Sequence, residues 1–232
     1  MMKLAKYGKR EWLGGGAIAL ALAAIGLAIA RYVHAAAGWS IVLLATLAWL
    51  ALAAFFRVPA RRIAQGTGIL VSPADGVVRD VGTVTDHGIE PFAGQPLVRI
   101  GIFLSVFDVH VNRAPADMEV IHRNYKPGRF LDARDPRCAK ENESLVIAGS
   151  ARIGEATLPV AVRQISGAIA RRIVCEPEPG DCLDMGEIYG MIKFGSRTEL
   201  YFPADKGITP TVSIGSRVRS GSTVIARLQQ DT

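Results

Sequence analysis

Two uncharged apolar runs fill most of the first quarter of this sequence and limit what it can become. Residues 12–30, WLGGGAIALALAAIGLAIA, and residues 35–56, AAAGWSIVLLATLAWLALAAFF, contain no Asp, Glu, Lys or Arg. About 20 helical residues cross a hydrocarbon core of roughly 30 Å, so each run is long enough to span one. A cleaved leader is the simpler reading of the first run. Its start is basic (Lys3, Lys6, Lys9, Arg10), and VHAAAG resembles a small-residue cleavage site. The second run argues against that reading, because removing the first still leaves a membrane segment. The pattern therefore predicts a transmembrane helical hairpin over residues 1–56, turning between Arg31 and Gly38. Trp12 and Trp39 fall where interfacial indoles are common.

The cations set an orientation. Lys3, Lys6, Lys9 and Arg10 precede the hairpin and Arg57, Arg61 and Arg62 follow it, while its turn holds only Arg31 and His34. The positive-inside rule then puts both ends in the cytoplasm, with residues 57–232 as a cytoplasmic domain at the cell membrane. A net charge of +6 suits an anionic lipid surface. It does not suit nucleic acid, because no long basic run with interleaved aromatics is present. Cys138, Cys175 and Cys182 show no C-x-x-C spacing, and the four histidines (34, 87, 110, 122) form no H-x-x-x-H pair. Neither a metal site nor a disulfide framework is expected.

Beyond residue 57 the sequence is mainly β. ILVS (69–72), GVVRDVGTV (76–84), LVRIGIFL (97–104), MEVIHRNY (118–125), LPVAVRQI (158–165) and TVIARL (223–228) are rich in Val, Ile and aromatics between Gly, Pro, Asp and Asn punctuation. FLDARDPRCAKENES (130–144) is the place for a short helix or a loop. No strand–helix rhythm appears, so a parallel doubly wound sheet is not expected. Residues 209–228 read as short hairpins of a small lipoyl-like sandwich or barrel, and 76–84 resembles them in pattern.

Four stretches could carry chemistry. SPADG (72–76) makes a turn easily, and it also fixes Asp75 at a strand end, available to orient a histidine. FLSVFDVHVNRAP (103–115) carries His110 on the same side as Asp108 and Asn112, with Arg113 as a bidentate donor for phosphate or carboxylate. A structural histidine is the plainer reading there. NYKPGRF (124–130) and AKENES (139–144) place Lys126 and Arg129 around a Pro-Gly turn, with Asn142 and Glu143 needing partners if buried. A solvated loop is the plainer reading of that pair.

The fourth stretch is MIKFGSRTELYFP (191–203). Period-two alternation puts Ile192, Phe194, Ser196, Thr198, Leu200 and Phe202 on one face and Lys193, Arg197 and Glu199 on the other. Gly195 and Ser196 interrupt it. They read either as a kink or as a reactive pair, in which the hydroxyl of Ser196 attacks the accessible carbonyl of Gly195.

In series these stretches resemble the phosphatidylserine decarboxylase proenzyme family, in its short branch. VSPADG (71–76), SVFDVHVNRAP (105–115), YKPGRF (125–130), NE (142–143), QISGAIARRIV (164–174) and YGMIKFGSRTELYFP (189–203) carry the likeness, which runs from about residue 57 to the end. The resemblance implies self-cleavage between Gly195 and Ser196, giving a β chain (1–195) and an α chain (196–232) that stay together without a covalent link. Ser196 would become a covalent pyruvoyl group, the cofactor that forms a Schiff base with phosphatidylserine and releases carbon dioxide and phosphatidylethanolamine. It also implies an Asp–His–Ser arrangement of Asp75, His110 and Ser196, with Arg113, Lys126, Arg129 and Asn142 toward the substrate. Longer members carry a His-x-x-His pair where this chain has HVNR, so His110 corresponds to either the first or the second histidine. NES also stands where NER is the family's pattern. A homo-oligomer is left open. The competing reading is a non-catalytic membrane-anchored adaptor or carrier with lipoyl-like hairpins, in which Lys206 would be the carrier lysine.

Overall fold

The computed structural model describes residues 3–135, 137–168, 172–193 and 196–229. Phe194 and Gly195, the residues before Ser196, lie outside these. The chain forms two compact units, residues 1–60 and 61–232.

The first unit is an antiparallel helical hairpin with a small clasp. Strands β1 (Lys3–Leu4) and β2 (Arg57–Val58) pair with each other. Between them run helices α1 (Lys9–Tyr32) and α2 (Ala35–Phe55), both long and apolar enough to cross a membrane. Their outward side chains are apolar as well, with Leu20, Leu44 and Ile18 largely exposed. That pattern suits lipid and does not suit water. His34 caps α2 by accepting the Ala37 N–H at 3.2 Å. The helices meet through small residues. A Cβ on Gly38 would stand 2.3 Å from the Gly26 carbonyl oxygen, so only glycine allows this approach. Farther along, the rings of Trp12 and Trp49 lie 5.6 Å apart.

The second unit is all but free of helix. Its strands are β3 (Ile69–Val71), β4 (Gly76–Val84), β5 (Leu97–Leu104), β6 (Val111–Arg113), β7 (Asp117–Lys126), β8 (Ser144–Ile153), β9 (Ala156–Ser166), β10 (Ile173–Cys175), β11 (Cys182–Leu183), β12 (Ile188–Ile192), β13 (Ser196–Pro203), β14 (Ile208–Pro210), β15 (Arg217–Val218) and β16 (Val224–Leu228). Among the described residues its one α-helix, α3 (Cys138–Glu141), falls inside the 130–144 stretch. The main sheet is antiparallel with the order β11-β7-β8-β9-β13-β5-β4-β15. Two three-stranded sheets, β10-β12-β6 and β14-β16-β3, accompany it. Antiparallel neighbours need only short turns, which is why Gly, Asp and Asn punctuation suffices to connect them.

The β-rich expectation holds, but no described sheet closes on itself, so a closed barrel is not what this sequence forms. β8, SLVIAGSARI, is a central strand that strand pattern did not single out. Gly149 and two serines dilute its hydrophobic run, and Gly149 is required because a Cβ there would meet the Glu119 carbonyl oxygen at 2.0 Å.

The largest core lies on one side of the main sheet. Val78, Ile100, Ile102, Leu104, Ile147, Val160, Val162, Leu200 and Phe202 are all fully buried in it. A smaller cluster on the other side gathers Ile89, Phe92, Leu97, Val146, Ala148, Ala161 and Tyr201. β13 lies between β9 and β5 and is buried at every residue.

Candidate functional site

Three strand ends meet where the chemistry-bearing residues lie. Ser196 opens β13, opposite Leu104 at the end of β5 and Ser166 at the end of β9. β4 begins beside the same end of β5, pairing Val77 with Phe103. Its first residue, Gly76, has φ +150° and no room for a Cβ, which would stand 2.2 Å from the Phe103 carbonyl oxygen. That close approach brings the SPADG turn, and Asp75 with it, to the same end of the sheet.

His110 enters from the adjacent small sheet. Its carbonyl accepts the Ile192 N–H at 3.2 Å, four residues before Ser196. The imidazole is fully buried, with Nδ1 2.9 Å from the Asp108 carbonyl oxygen. A carbonyl only accepts, so Nδ1 donates this bond, and in the neutral ring Nε2 is then the accepting nitrogen that a general base needs. Asp108 is itself fixed, because its carboxylate accepts the Ser105 N–H and hydroxyl at 2.8 and 2.7 Å.

The hydroxyl of Ser196 is fully buried and has no hydrogen-bond partner among the described residues. Leaving a buried polar group unpaired costs about 1–3 kcal/mol, so such a group points to a function. Two residues on, Thr198 is held firmly. The Asn112 amide donates to its hydroxyl at 3.0 Å and to the Pro73 carbonyl at 3.4 Å, while Gln164 donates to Asn112 Oδ1 at 2.9 Å. This buried amide network ties the SPADG turn, β6, β9 and β13 together. Sequence pattern placed Asn112 beside His110 but gave Gln164 no role. Alternating strand residues of this kind acquire a partner only across a sheet.

Asp75 is 7% exposed and doubly engaged. One oxygen accepts Arg61 Nη2 at 2.5 Å and the other accepts the Ser220 N–H at 2.8 Å. In the sequence Arg61 stands only among the cations that flank the apolar hairpin. Its tie to Asp75 spans 14 residues with no periodic signal in between. Arg113 is buried and donates to the Gly186 carbonyl at 2.7 Å, and its own N–H reaches Pro73. Burial pushes its pKa down and the Arg61 charge pushes the same way, with Asp75 opposing.

The other expected substrate contacts are engaged with partners of their own. Lys126 is exposed and donates to the Lys140 carbonyl at 2.7 Å, and Arg129 is exposed beside Glu141 at 3.2 Å. The Asn142 amide is committed to backbone, accepting from Leu131 N–H and donating to the carbonyls of Leu131 and Ser166 at 2.8 and 2.7 Å. It therefore holds the end of β9 that pairs with Ser196. Lys206 is exposed beside Asp205. Among the described residues no group of His, Cys, Asp and Glu is arranged to hold a metal ion.

Fold and site define a strand-rich domain behind two apolar helices, with a buried hydroxyl, an imidazole and a carboxylate at one end of its main sheet. The sequence profile of phosphatidylserine decarboxylase matches residues 50–226. The phosphatidylserine decarboxylase proenzyme of Rhodopirellula baltica is 46% identical over 177 residues, 76% of this chain and 71% of that one. Those of Symbiobacterium thermophilum and Geotalea uraniireducens are 44% and 40% identical, covering 93% and 84% of this chain and 92% of each relative. The chain belongs to the phosphatidylserine decarboxylase family.

Proposed function

We propose that the chain is a phosphatidylserine decarboxylase that matures by cutting itself before Ser196 and works at the cytoplasmic side of the cell membrane through a pyruvoyl group made from that serine. The observation that carries this reading is Ser196 itself. It is a buried hydroxyl with no hydrogen-bond partner among the described residues, in a chain of this family whose buried His110 binds the backbone four residues upstream of it.

Maturation uses atoms the chain supplies. With its proton taken by His110, Ser196 Oγ attacks the Gly195 carbonyl carbon, and the Gly195–Ser196 C–N bond breaks as the C–O bond forms. The resulting ester eliminates across the serine Cα–Cβ bond. This leaves a carboxylate on Gly195 and a dehydroalanine, which water converts to a pyruvoyl group, still amide-linked to Arg197, with release of ammonia. The residues fit that sequence of events. The end of β13 is anchored on both sides, so the hydroxyl can be poised without the strand moving, and Asp75 is fixed on the SPADG turn by Arg61 and the Ser220 N–H.

The pyruvoyl group, once present, supplies an electron sink for the pair left behind when carbon dioxide departs from an amine-bound substrate. His110 then returns a proton to the substrate carbon, and Arg113 and Arg129 supply positive charge for the headgroup. Asn112, Gln164 and Asn142 hold the strand ends at which these groups stand. The two apolar helices keep the domain at the bilayer where the acyl chains of the substrate remain. The mature enzyme is a heterodimer of residues 1–195 and 196–232.

Intact-mass measurement and a denaturing gel test this reading. The wild type should run as two pieces, the smaller lacking a free amine, and should release carbon dioxide from phosphatidylserine. Ser196→Ala should remain one chain and be inactive. Full turnover by that uncut variant would refute the proposal.

A further inference from the structure

On the side of the main sheet opposite Ser196, four arginines line one cavity of about 360 Å³. Arg79 comes from β4, Arg99 from β5, Arg197 from β13 and Arg134 from the segment before α3, with Asp80, Ala133 and Ala139 completing the wall. Asp80 is the one carboxylate in the lining, and two guanidiniums share it: Arg99 Nε at 2.9 Å and Arg197 Nη2 at 2.5 Å. Glu199 lies behind the wall, fully buried, and is taken up by Arg197, Arg163 and Tyr201. Arg134 pairs with Asp132. Arg79 is exposed, and its guanidinium sits 5.5 Å from the centre of the Phe103 ring. Counting these groups, five arginines face three carboxylates.

A second cavity adjoins this one through Ala139 and adds Lys126, Lys140 and Arg163, against Asp86. The trough as a whole is therefore cationic. Each guanidinium offers five N–H donors in a fixed fork, and the pairings above leave donors on all four arginines for an oxygen-rich anion. Planar forks from several directions suit tetrahedral phosphate better than a single carboxylate.

We propose that this cavity is a binding site for a phosphate-bearing anion, separate from the site at Ser196. The shared chemistry is a phosphoryl group, carried by a soluble phosphate ester or by the headgroup of an anionic lipid. Arg79 and Arg134 are its outer, exposed contacts, and Arg99 and Arg197 are its floor.

Thermal unfolding of the full chain in detergent tests the site without reference to turnover. Inorganic phosphate and pyrophosphate should raise the midpoint relative to sodium chloride at matched ionic strength. Arg79→Gln/Arg134→Gln should abolish the rise, whereas Arg152→Gln, an exposed arginine paired with Asp117 elsewhere, should keep it. In bilayer discs, phosphatidic acid should reproduce the rise over phosphatidylcholine if a lipid headgroup is the source. A response to the soluble ions alone assigns the site to a free phosphate ester. The proposal fails if phosphate and chloride act alike and both bilayers act alike, or if the rise survives in the double variant.

Discussion

Strand β13 turns Ser196, Thr198, Leu200 and Phe202 to one side of the main sheet and Arg197, Glu199 and Tyr201 to the other, and both sides are buried. The two sides hold polar groups in opposite ways. Toward the large core the polar groups are neutral, and Ser196 Oγ has no partner among the described residues. On the far side the charged groups are closely paired. Glu199 is fully buried yet meets Arg197 at 2.9 Å, Arg163 at 3.7 Å and the Tyr201 hydroxyl at 2.5 Å. Burial works against the charge on Arg197, but Glu199 and Asp80 outweigh it and its pKa is raised. Tyr201 is kept protonated by burial and then by Glu199. One face keeps a buried hydroxyl uncommitted and the other fixes the strand that carries it. Cleavage before Ser196 would cost β13 its upstream covalent link. It would then be held by its ladders to β5 and β9 and by ion pairs reaching Asp80 and Arg163, which belong to the other piece.

The sharpest way to break this contrast is on the charged face. Arg197→Met takes from the fully buried Glu199 its nearest cation and leaves Asp80 with Arg99 alone. Removing one partner of a buried ion pair costs about 3–5 kcal/mol, so a large drop in denaturant midpoint is expected. Arg197→Met/Glu199→Leu should recover part of that loss, because the fully buried carboxylate is gone, Asp80 keeps Arg99, and Arg163 keeps the Tyr201 hydroxyl and the His87 carbonyl. A double variant as unstable as the single one would mean the face is held by shape and not by charge. Thr198→Val probes the neutral face with nearly the same volume. It deletes one hydrogen bond to Asn112, whose amide keeps the Pro73 carbonyl, so the expected cost is about 1 kcal/mol. A slower appearance of the two pieces on a gel would add that the amide network also positions Ser196.

The contrast also shows what a sequence reveals. Alternation along β13 is local, so both faces could be read from the order of residues alone. The apolar hairpin was equally legible, because twenty uncharged residues have few other fates. Arg61–Asp75, Gln164–Asn112 and Arg197–Asp80 were not legible. Each joins residues from different segments, and only strand order determines which charges and amides meet. β8 was missed for a related reason. Its glycine is required by a neighbouring strand's backbone, and that neighbour is not visible along the chain. The motif series indicated the site through resemblance, while its supports became apparent only with the sheet assembled.

Two buried thiols offer the gentlest test, one beside each face. Cys175 packs in the large core and Cys138 lies near Arg197 and Glu199. Burial raises the Cys175 thiol to about 12, with Arg123 opposing, and raises the Cys138 thiol to about 11, with Arg197 opposing. A thiol whose folded pKa lies above its unfolded value binds its proton more tightly in the folded chain. Its contribution is complete below about pH 8.5 and is lost as pH rises through the folded pKa. Each thiol can therefore tilt stability downward by at most about 1.4 kcal/mol per pH unit above that point. Cys138→Ala should flatten the decline only to about pH 11, and Cys175→Ala should flatten it to about pH 12. Alkylation of the folded protein at pH 8 should modify exposed Cys182 and spare both. If Arg197→Met raises the protection of Cys138 at alkaline pH and leaves Cys175 unchanged, the guanidinium acts on its own face alone. Equal changes at both thiols would show that the two sides of the strand are electrostatically one environment.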